Sequence, residues 1–484
     1  MNINEYKISQ KKYSNLEILI AKLYLHLLPI RMISQLLFLR NLLPGATGYF
    51  DFILHFMGVC LLILNSKRNK TIQKDTTSRL ANYFYTMIIF LNISSFVMAI
   101  VIQATYGNYA SESAFDGITG MVIYFFQYAL MIFYNKNIFQ MMSKEEILKI
   151  IQRVCVFLLI LGYWQIAILN FGGIYRTLLD SVDIFNILYP THPMPKLSLT
   201  GSEGASAGNL VGIFVFPFLC SMALTNEKKT KFFIQMLLWL PAVYFTQSTT
   251  AYILITIDFA VYLMILVKDF REKKLAIIGF LSILSLIFLL FYEPLLSILP
   301  IEVRDQIQYL LIEKSTDLEN GSTISRTIPL LVNWGAFTEY PIFGVGNGLQ
   351  GYFFIKYFPS WAYNAKGSDI MKFYQISQTQ ISNGSLFFPS LLSGYGIIGI
   401  VLIIIYIIKS NKLISLCKQQ LGAFYYYYII ACFAILFSGF QTDFTGQYFT
   451  WFVLSIPYMT GNFIEKRLND DFFKNKFNWY SDTY

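Results

Sequence analysis

Long apolar runs separated by short polar stretches dominate this chain. Each run of about 20 residues is long enough to cross a bilayer as a helix. Twelve candidate spans lie roughly at 15–37, 48–66, 82–103, 117–134, 150–171, 207–224, 231–246, 249–267, 275–298, 384–408, 421–438 and 445–463. The first is the weakest, because Lys22, His26, Pro29 and Arg31 interrupt it. An eleven-span version, with that run lying flat on the membrane, is the alternative. The pattern predicts an all-α polytopic membrane protein, with residues 1–484 forming a single membrane domain. No small-residue cleavage site follows the polar first dozen residues, so no signal peptide is expected.

The distribution of basic residues orients these spans. With the N-terminus in the cytoplasm, the cytoplasmic pieces carry 25 of the 37 Lys and Arg residues, among them Lys67, Arg68, Lys136, Lys144, Lys149, Lys228, Lys268, Lys409 and Lys466. The short loops on the other face, near 107–116 and 247–249, have no Lys or Arg, and the turn at 439–447 has only Asp443 as a charge. This asymmetry is the positive-inside pattern. It places both termini in the cytoplasm and two long loops outside, at 172–206 and 299–383. The second loop is about 85 residues, far beyond an ordinary connection. Its aromatics, including Tyr309, Trp334, Phe337, Tyr352, Phe353, Phe354, Tyr357, Phe358, Trp361 and Tyr363, suit a small folded cap.

Composition supports the same class. The chain is 55% hydrophobic and 13% charged, whereas a soluble domain carries about 25% charged residues. The net charge of +9 is scattered in short clusters beside apolar runs. That pattern fits an anionic membrane surface and argues against nucleic acid as a partner. The five cysteines show no metal-ligand spacing.

Chemistry is therefore restricted. There is no GxxxxGK[ST] loop and no HExxH, and only His26, His55 and His192 are histidines. Candidate groups gather in the external segments. In THPMPKLSLTGSEGASAGNLVG (191–212), Lys196 and Glu203 bracket a Gly/Ser/Thr-rich turn. Ser206 or Asn209 can cap the helix that follows, so a plain loop-to-helix cap explains this stretch equally well. FTQSTTAYI (245–253) is a hydroxyl-rich turn containing Ser248; it reads as a polar hairpin whose hydroxyls cap helix ends.

In the large loop, Ser325 and Arg326 open an amphipathic stretch in which Ile328, Leu331, Trp334 and Phe337 recur at helical spacing. Tyr340 and Pro341 end it. GVGNG (344–348) follows, a turn-rich segment whose amides can approach an anion. It follows no strand, so it is not a dinucleotide fingerprint. Arg326 offers a planar fork of donors for phosphate, or a salt bridge to a loop carboxylate. Asn383 sits where the tenth span begins, and GYGIIG (394–399) lies inside that span, a place for close helix packing.

Taken together, these segments resemble the O-antigen polymerase and O-antigen ligase superfamily of bacterial polysaccharide assembly. The matching signals run in order: Lys196 to Ser206; Thr246, Gln247 and Ser248; Ser325, Arg326, Phe337, Pro341, Gly344 and Gly346; then Asn383 with 396–399. They cover about residues 190–405. Two departures stand out. Lys196 replaces the arginine often found there. Ser382 occupies the place of the histidine that typically precedes the asparagine in ligases.

The resemblance implies a glycosyltransferase on the outer face of the bacterial cytoplasmic membrane. It would polymerise undecaprenyl-pyrophosphate-linked oligosaccharide repeat units without cofactor, ATP or metal. A flippase and a chain-length regulator are the partners implied, within the lipid bilayer. The resemblance and the chemistry of the step assign tasks. Arg326 and Lys196 are expected to bind pyrophosphate, with Arg176 and Arg304 in reserve. Glu203 is the first expectation for the general base, Glu339 the second and Asp443 the third. Asn383 would orient an oxygen, and Ser206, Ser248, Gly344 and Gly346 would line the substrate site. Trp334, Trp361 and Tyr352 would stack on sugars. The alternatives are an O-antigen ligase-type transferase and a lipid-linked oligosaccharide flippase.

Overall fold

A computed structural model describes residues 13–29, 50–66, 76–108, 113–179, 197, 199, 204–226, 228–266, 321–354, 356–364, 386–440 and 447–461. Among the described residues the chain is helical and contains no strand. Helices α1 (Asn15–Leu27), α2 (Phe50–Ser66), α3 (Thr76–Tyr106), α4 (Ala114–Met141) and α5 (Lys144–Leu179) form the first half. Helix α6 (Gly204–Asn209) runs through a π-helical turn, Leu210–Val215, into α7 (Phe216–Thr225). Then come α8 (Lys229–Thr246), α9 (Thr249–Leu266), α10 (Gly321–Glu339), α11 (Phe387–Leu416), α12 (Lys418–Leu421), α13 (Ala423–Ser438) and α14 (Tyr448–Ser455). The candidate span at 275–298 lies outside the described residues.

Among the described residues, five helical stretches are long and apolar enough to cross a membrane: Thr77–Tyr106, Lys144–Ala167, Ala205–Thr225, Thr249–Leu266 and Phe387–Leu416. They leave many large apolar side chains exposed, for example Ile89, Phe96, Ile160, Ile397 and Val401. A bundle that leaves such side chains outside needs lipid around it. The segment Ala205–Thr225 differs, since 94% of its window is buried inside the protein. It is the central helix, packed on α8, α9 and α13.

Polar contacts gather at the two ends of the bundle. At one end, Tyr13 donates to Gln140 at 3.1 Å, Lys136 to Ser78 at 3.0 Å and Lys144 to the Gln420 carbonyl at 2.7 Å. Lys22 pairs with Glu146 at 2.7 Å, and Lys409 lies 4.9 Å from the Tyr83 ring centre. At the other end, the Ala114 amide donates to Gln103 and the Phe388 amide to the Gly439 carbonyl at 3.0 Å.

Helix α10 corrects one detail of the sequence pattern. Its buried face is Ile324, Ile328, Val332, Asn333 and Ala336, whereas Leu331 and Trp334 are exposed at 40% and 58%. The buried face is set by what α10 packs against, which is α11 and the short helical turn Gln350–Phe353. Below it, Phe354, Phe358 and Ala362 close a small core with Ile324, Ile328 and Val332. A second core joins Ala336, Val345, Leu349 and Phe353 to Ala99, Ile102, Ala114 and Ile118 of α3 and α4.

Helix α11 is not a straight span. Gly396 has φ 61° and ψ −157° inside it, a conformation essentially confined to glycine. A break within a membrane helix frees backbone groups that hydrocarbon cannot satisfy. Here the segment 341–346 satisfies them. Val345 and Gly346 amides donate to the Ser393 and Gly394 carbonyls at 2.7 and 3.0 Å. In return, Ile397 and Ile398 amides donate to the Pro341 and Ile342 carbonyls at 2.9 and 3.2 Å. This junction spans Ser393 to Ile398, about 9 to 16 Å from the start of α11 at 1.5 Å per residue.

Candidate functional site

Two groups of candidate residues lie at the end of the bundle opposite Lys144. The first is built where α5, α8 and α9 meet the start of α6. Gln247 adopts φ 47° and ends α8 in a left-handed turn. Ser248 then caps α9, its hydroxyl accepting from the Ala251 amide at 3.4 Å. A serine at this position satisfies a backbone donor that the helix leaves open. The adjoining stretch is tied down from two sides. The Leu197 amide donates to the Phe245 carbonyl at 2.9 Å. The Leu199 amide donates to the Gln165 side chain at 2.9 Å, and the Gln165 amide group donates back to the Leu199 carbonyl at 2.8 Å.

Lys196, directly before this anchored stretch, and Glu203, directly before α6, lie outside the described residues. Ser206 is half-buried in the first turns of α6. Asn209, three residues on, is buried and accepts from the Ser438 hydroxyl at 2.8 Å. It therefore joins α6 to the end of α13 and does not cap α6. Arg176 lies in the last turns of α5, and its side chain is outside the described set, as are Arg304, Asn383 and Asp443.

The second group is built on α10 and the segment after it. Arg326 is half-buried near the start of α10. Trp334 is exposed, its ring 5.6 Å from Phe337. Glu339, at the end of α10, accepts hydrogen bonds from Tyr357 and, at 3.2 Å, from Tyr106 of α3, and pairs with Lys356. Partial burial pushes the Glu339 carboxyl up, but the hydrogen bonds from Lys356 and Tyr357 and the Lys356 charge outweigh it. The net direction is downward. The Lys356 ammonium moves up, chiefly through its hydrogen bond to Glu339. This carboxylate is tied to cation and hydroxyl partners and anchors the end of α10 to α3.

The GVGNG segment differs from the expectation that its amides face an anion. Gly344, Gly346 and Gly348 all have positive φ, at 71°, 92° and 89°. The turns they make aim each amide at a protein acceptor. Gly344 donates to the Tyr340 carbonyl, Val345 and Gly346 to the α11 break, and Leu349 to the Gly346 carbonyl. Asn347 donates to the Ser95 hydroxyl at 3.2 Å and Gly348 to the Gln350 side chain at 2.9 Å. No amide from 344 to 349 is left for an anion in this arrangement. Gly344 and Gly346 act through close approach: a side chain at 344 would meet the Ser393 carbonyl, and one at 346 would meet Met98 and the Ser95 carbonyl.

Sequence reasoning missed the polar network under this segment. Ser393 donates to Asn333 at 2.6 Å across the α10–α11 seam. Gln350 donates to the Ser390 carbonyl at 3.2 Å and to Asn347 at 3.3 Å. The available signal was a set of amides and hydroxyls, Ser95, Asn333, Gln350, Ser390 and Ser393, placed inside otherwise apolar stretches. The two groups are linked through the end of α13, where Ser438 holds Asn209 and Gly439 holds Phe388 of α11. Among the described residues no cluster of three or more His, Cys, Asp or Glu could hold a metal ion.

Residues 234–404 match the family model described as O-antigen ligase. The resemblance to the O-antigen ligase-like superfamily thus holds over about a third of the chain, from α8 to α11. The matched stretch includes Ser248, Arg304, Arg326, Trp334, Glu339, Gly344, Gly346 and Asn383. Arg176, Lys196, Glu203, Ser206 and Asp443 lie outside it. No curated protein matches the chain.

Proposed function

We propose that this protein is a polysaccharide repeat-unit polymerase of the cytoplasmic membrane. The observation that carries the reading is the O-antigen ligase match over 234–404, a stretch that includes Ser248 of the first group and Arg326, Trp334 and Glu339 of the second. In the reaction, an acceptor sugar hydroxyl on one lipid-linked repeat attacks the anomeric carbon of a growing glycan. The bond to undecaprenyl pyrophosphate breaks, and the lipid pyrophosphate leaves with the electron pair. The hydroxyl proton passes to a carboxylate, a general-base step.

The leaving group carries negative charge, so fixed cationic donors stabilise it most where charge develops. Arg326 takes this role first and Lys196 second, with Arg176 and Arg304 in support. Glu203 is the base. Glu339, held by Lys356 with its pKa lowered, is a weaker proton acceptor than an unpaired carboxylate, which argues against Glu339 in that role. Asn383, Ser206 and Ser248 position oxygens, and Trp334 offers an exposed face to a sugar ring. Polymerisation is favoured over ligation because Ser382 stands where ligases carry histidine.

The proposed topology is twelve spans with both termini in the cytoplasm. It is supported by contacts that join segments read as cytoplasmic: Tyr13 with Gln140, Ser78 with Lys136, and Lys144 with Gln420. A flippase would deliver the repeat units, and a chain-length regulator would set the product length.

Gene deletion tests the reading, with surface glycan and lipid-linked sugars sized on gels. A single repeat unit in place of the polymer ladder is expected. Intact polymer left on the lipid carrier would instead identify a ligase, and units trapped on the cytoplasmic face a flippase. In a strain carrying Arg326→Ala, lipid-linked repeat units should accumulate. Full-length polymer in that strain would remove Arg326 from the pyrophosphate site.

A further inference from the structure

One side of α5 carries a groove that the proposed reaction does not use. It has a volume of about 380 Å³ and is lined by Lys149, Gln152, Arg153, Val156, Phe157 and Ile160. These positions recur at the three- and four-residue spacing of one helix face. The lining changes character along the helix, from two cations and an amide near the α5 start to three apolar side chains further in.

Lys149 and Arg153 are exposed, and among the described residues neither forms an ion pair. The neighbouring acids are engaged elsewhere, Glu146 with Lys22 at 2.7 Å and Glu145 with Lys144 at 3.7 Å. The apolar part is open too: Phe157 and Ile160 are 49% and 65% exposed. One turn further, Tyr163 donates to the Leu238 carbonyl of α8 at 2.9 Å and joins the two helices. From Lys149 to Ile160 the stripe runs 11 residues, about 16 Å. That is about half of the roughly 30 Å hydrocarbon core of a bilayer.

We infer that this groove holds one anionic phospholipid from the leaflet on the Lys144 side. Lys149 and Arg153 bind its phosphate, Gln152 donates to a head-group oxygen, and one acyl chain lies over Val156, Phe157 and Ile160. Charge complementarity selects this occupant. A second copy of the chain would have to place carboxylates against Lys149 and Arg153. A free phosphate would leave the apolar half bare.

The full chain, purified in detergent and stripped of lipid, is titrated with phosphatidylglycerol and followed by native mass spectrometry. One copy should bind more tightly than the rest. In the variant K149Q/R153Q that first binding weakens roughly tenfold or more, given what juxtamembrane cations contribute at an anionic surface. K149R/R153K keeps it, which separates lost charge from lost folding. F157S/I160S weakens long-chain but not short-chain phosphatidylglycerol. Unchanged binding in K149Q/R153Q overturns the inference. So does equal binding of phosphatidylcholine with the same chains, displacement by inorganic phosphate, or a dimer forming through this face.

Discussion

Two seams in this protein depend on glycine, and they depend on it differently. In the centre of the bundle, Gly208 and Gly212 bring the α6–π–α7 helix against α9. A Cβ on Gly208 would come within 2.9 Å of the Ala251 amide, and one on Gly212 would meet the Leu254 side chain. Neither glycine has positive φ. Their contribution is space. At the α10–α11 seam, Gly344, Gly346 and Gly396 combine close approach with positive φ. Here glycine supplies a conformation as well, and the contact is made by backbone hydrogen bonds. The central seam buries apolar side chains that any good packing would serve. The outer seam closes a broken helix with an irregular segment, which is tolerated at membrane depth only when every backbone group has a partner.

The largest expected effect is therefore at Gly396. Gly396→Ala places a side chain in a conformation that only glycine occupies readily and drives it into the Pro341 and Ile342 carbonyls. The expected loss is about 3 kcal/mol or more, read as a lower unfolding temperature in detergent and loss of polymer in cells. Gly212 is expected to behave in a graded way. Gly212→Ala should cost about 1–3 kcal/mol by separating the helices, and Gly212→Leu should cost more. At Gly396, alanine should already take most of the effect, because the strain is in the backbone. Equal, graded responses at both positions would erase the distinction between the seams.

Much of the central seam was legible in the sequence, and little of the outer one. Spans at 207–224, 231–246 and 249–267 agree with the helices to within a few residues, because an apolar run of that length has one stable state in lipid. The break at Gly396 could not be read as a break, since the GYGIIG glycines within the apolar run serve close helix packing equally well. Its partner, 341–346, is 50 residues away along the chain, and only the fold brings them together. GVGNG was recognised as a special turn, but periodicity does not say which acceptor an amide meets. Ser248 was legible as a helix cap because that role is local. Asn209 was not, because its partner Ser438 comes from a distant helix.

The polar network under the outer seam can be separated from its backbone bonds. Ser393 contributes a hydroxyl to Asn333 and, independently, a carbonyl to Val345. Ser393→Ala removes the hydroxyl, which also lies 3.1 Å from the Ser390 carbonyl of its own helix, and leaves the carbonyl bond to Val345 in place. Asn333 is buried and, among the described residues, its amide nitrogen has no hydrogen-bond partner, so losing the serine leaves the whole side chain unsatisfied. The expected cost is about 1 kcal/mol, in line with hydrogen bonds between membrane helices. In a cycle with Asn333→Leu, the double variant should be less destabilised than the sum of the singles. Simple additivity would mean that the backbone bonds hold the seam unaided.

The smallest effect belongs to Glu339, which ties this seam to α3. Its Lys356 partner is 53% exposed, and solvent-screened pairs of this kind contribute little to stability. Glu339→Gln should therefore change the unfolding temperature little while loosening the segment after α10, read as faster proteolysis there. The pH dependence follows from the direction of the shift. A carboxyl with a lowered folded-state value stabilises above its unfolded value of about 4.3 and loses that contribution as pH falls through the folded value. Cleavage of the wild type should stay constant from about pH 5 to pH 8, within the range where the carboxylate is ionised. It should rise only in stronger acid, towards the rate of Glu339→Gln. A rise between pH 6 and 8 would show that this tether answers to some group other than Glu339, and the link from α3 to the outer seam would have to be sought elsewhere.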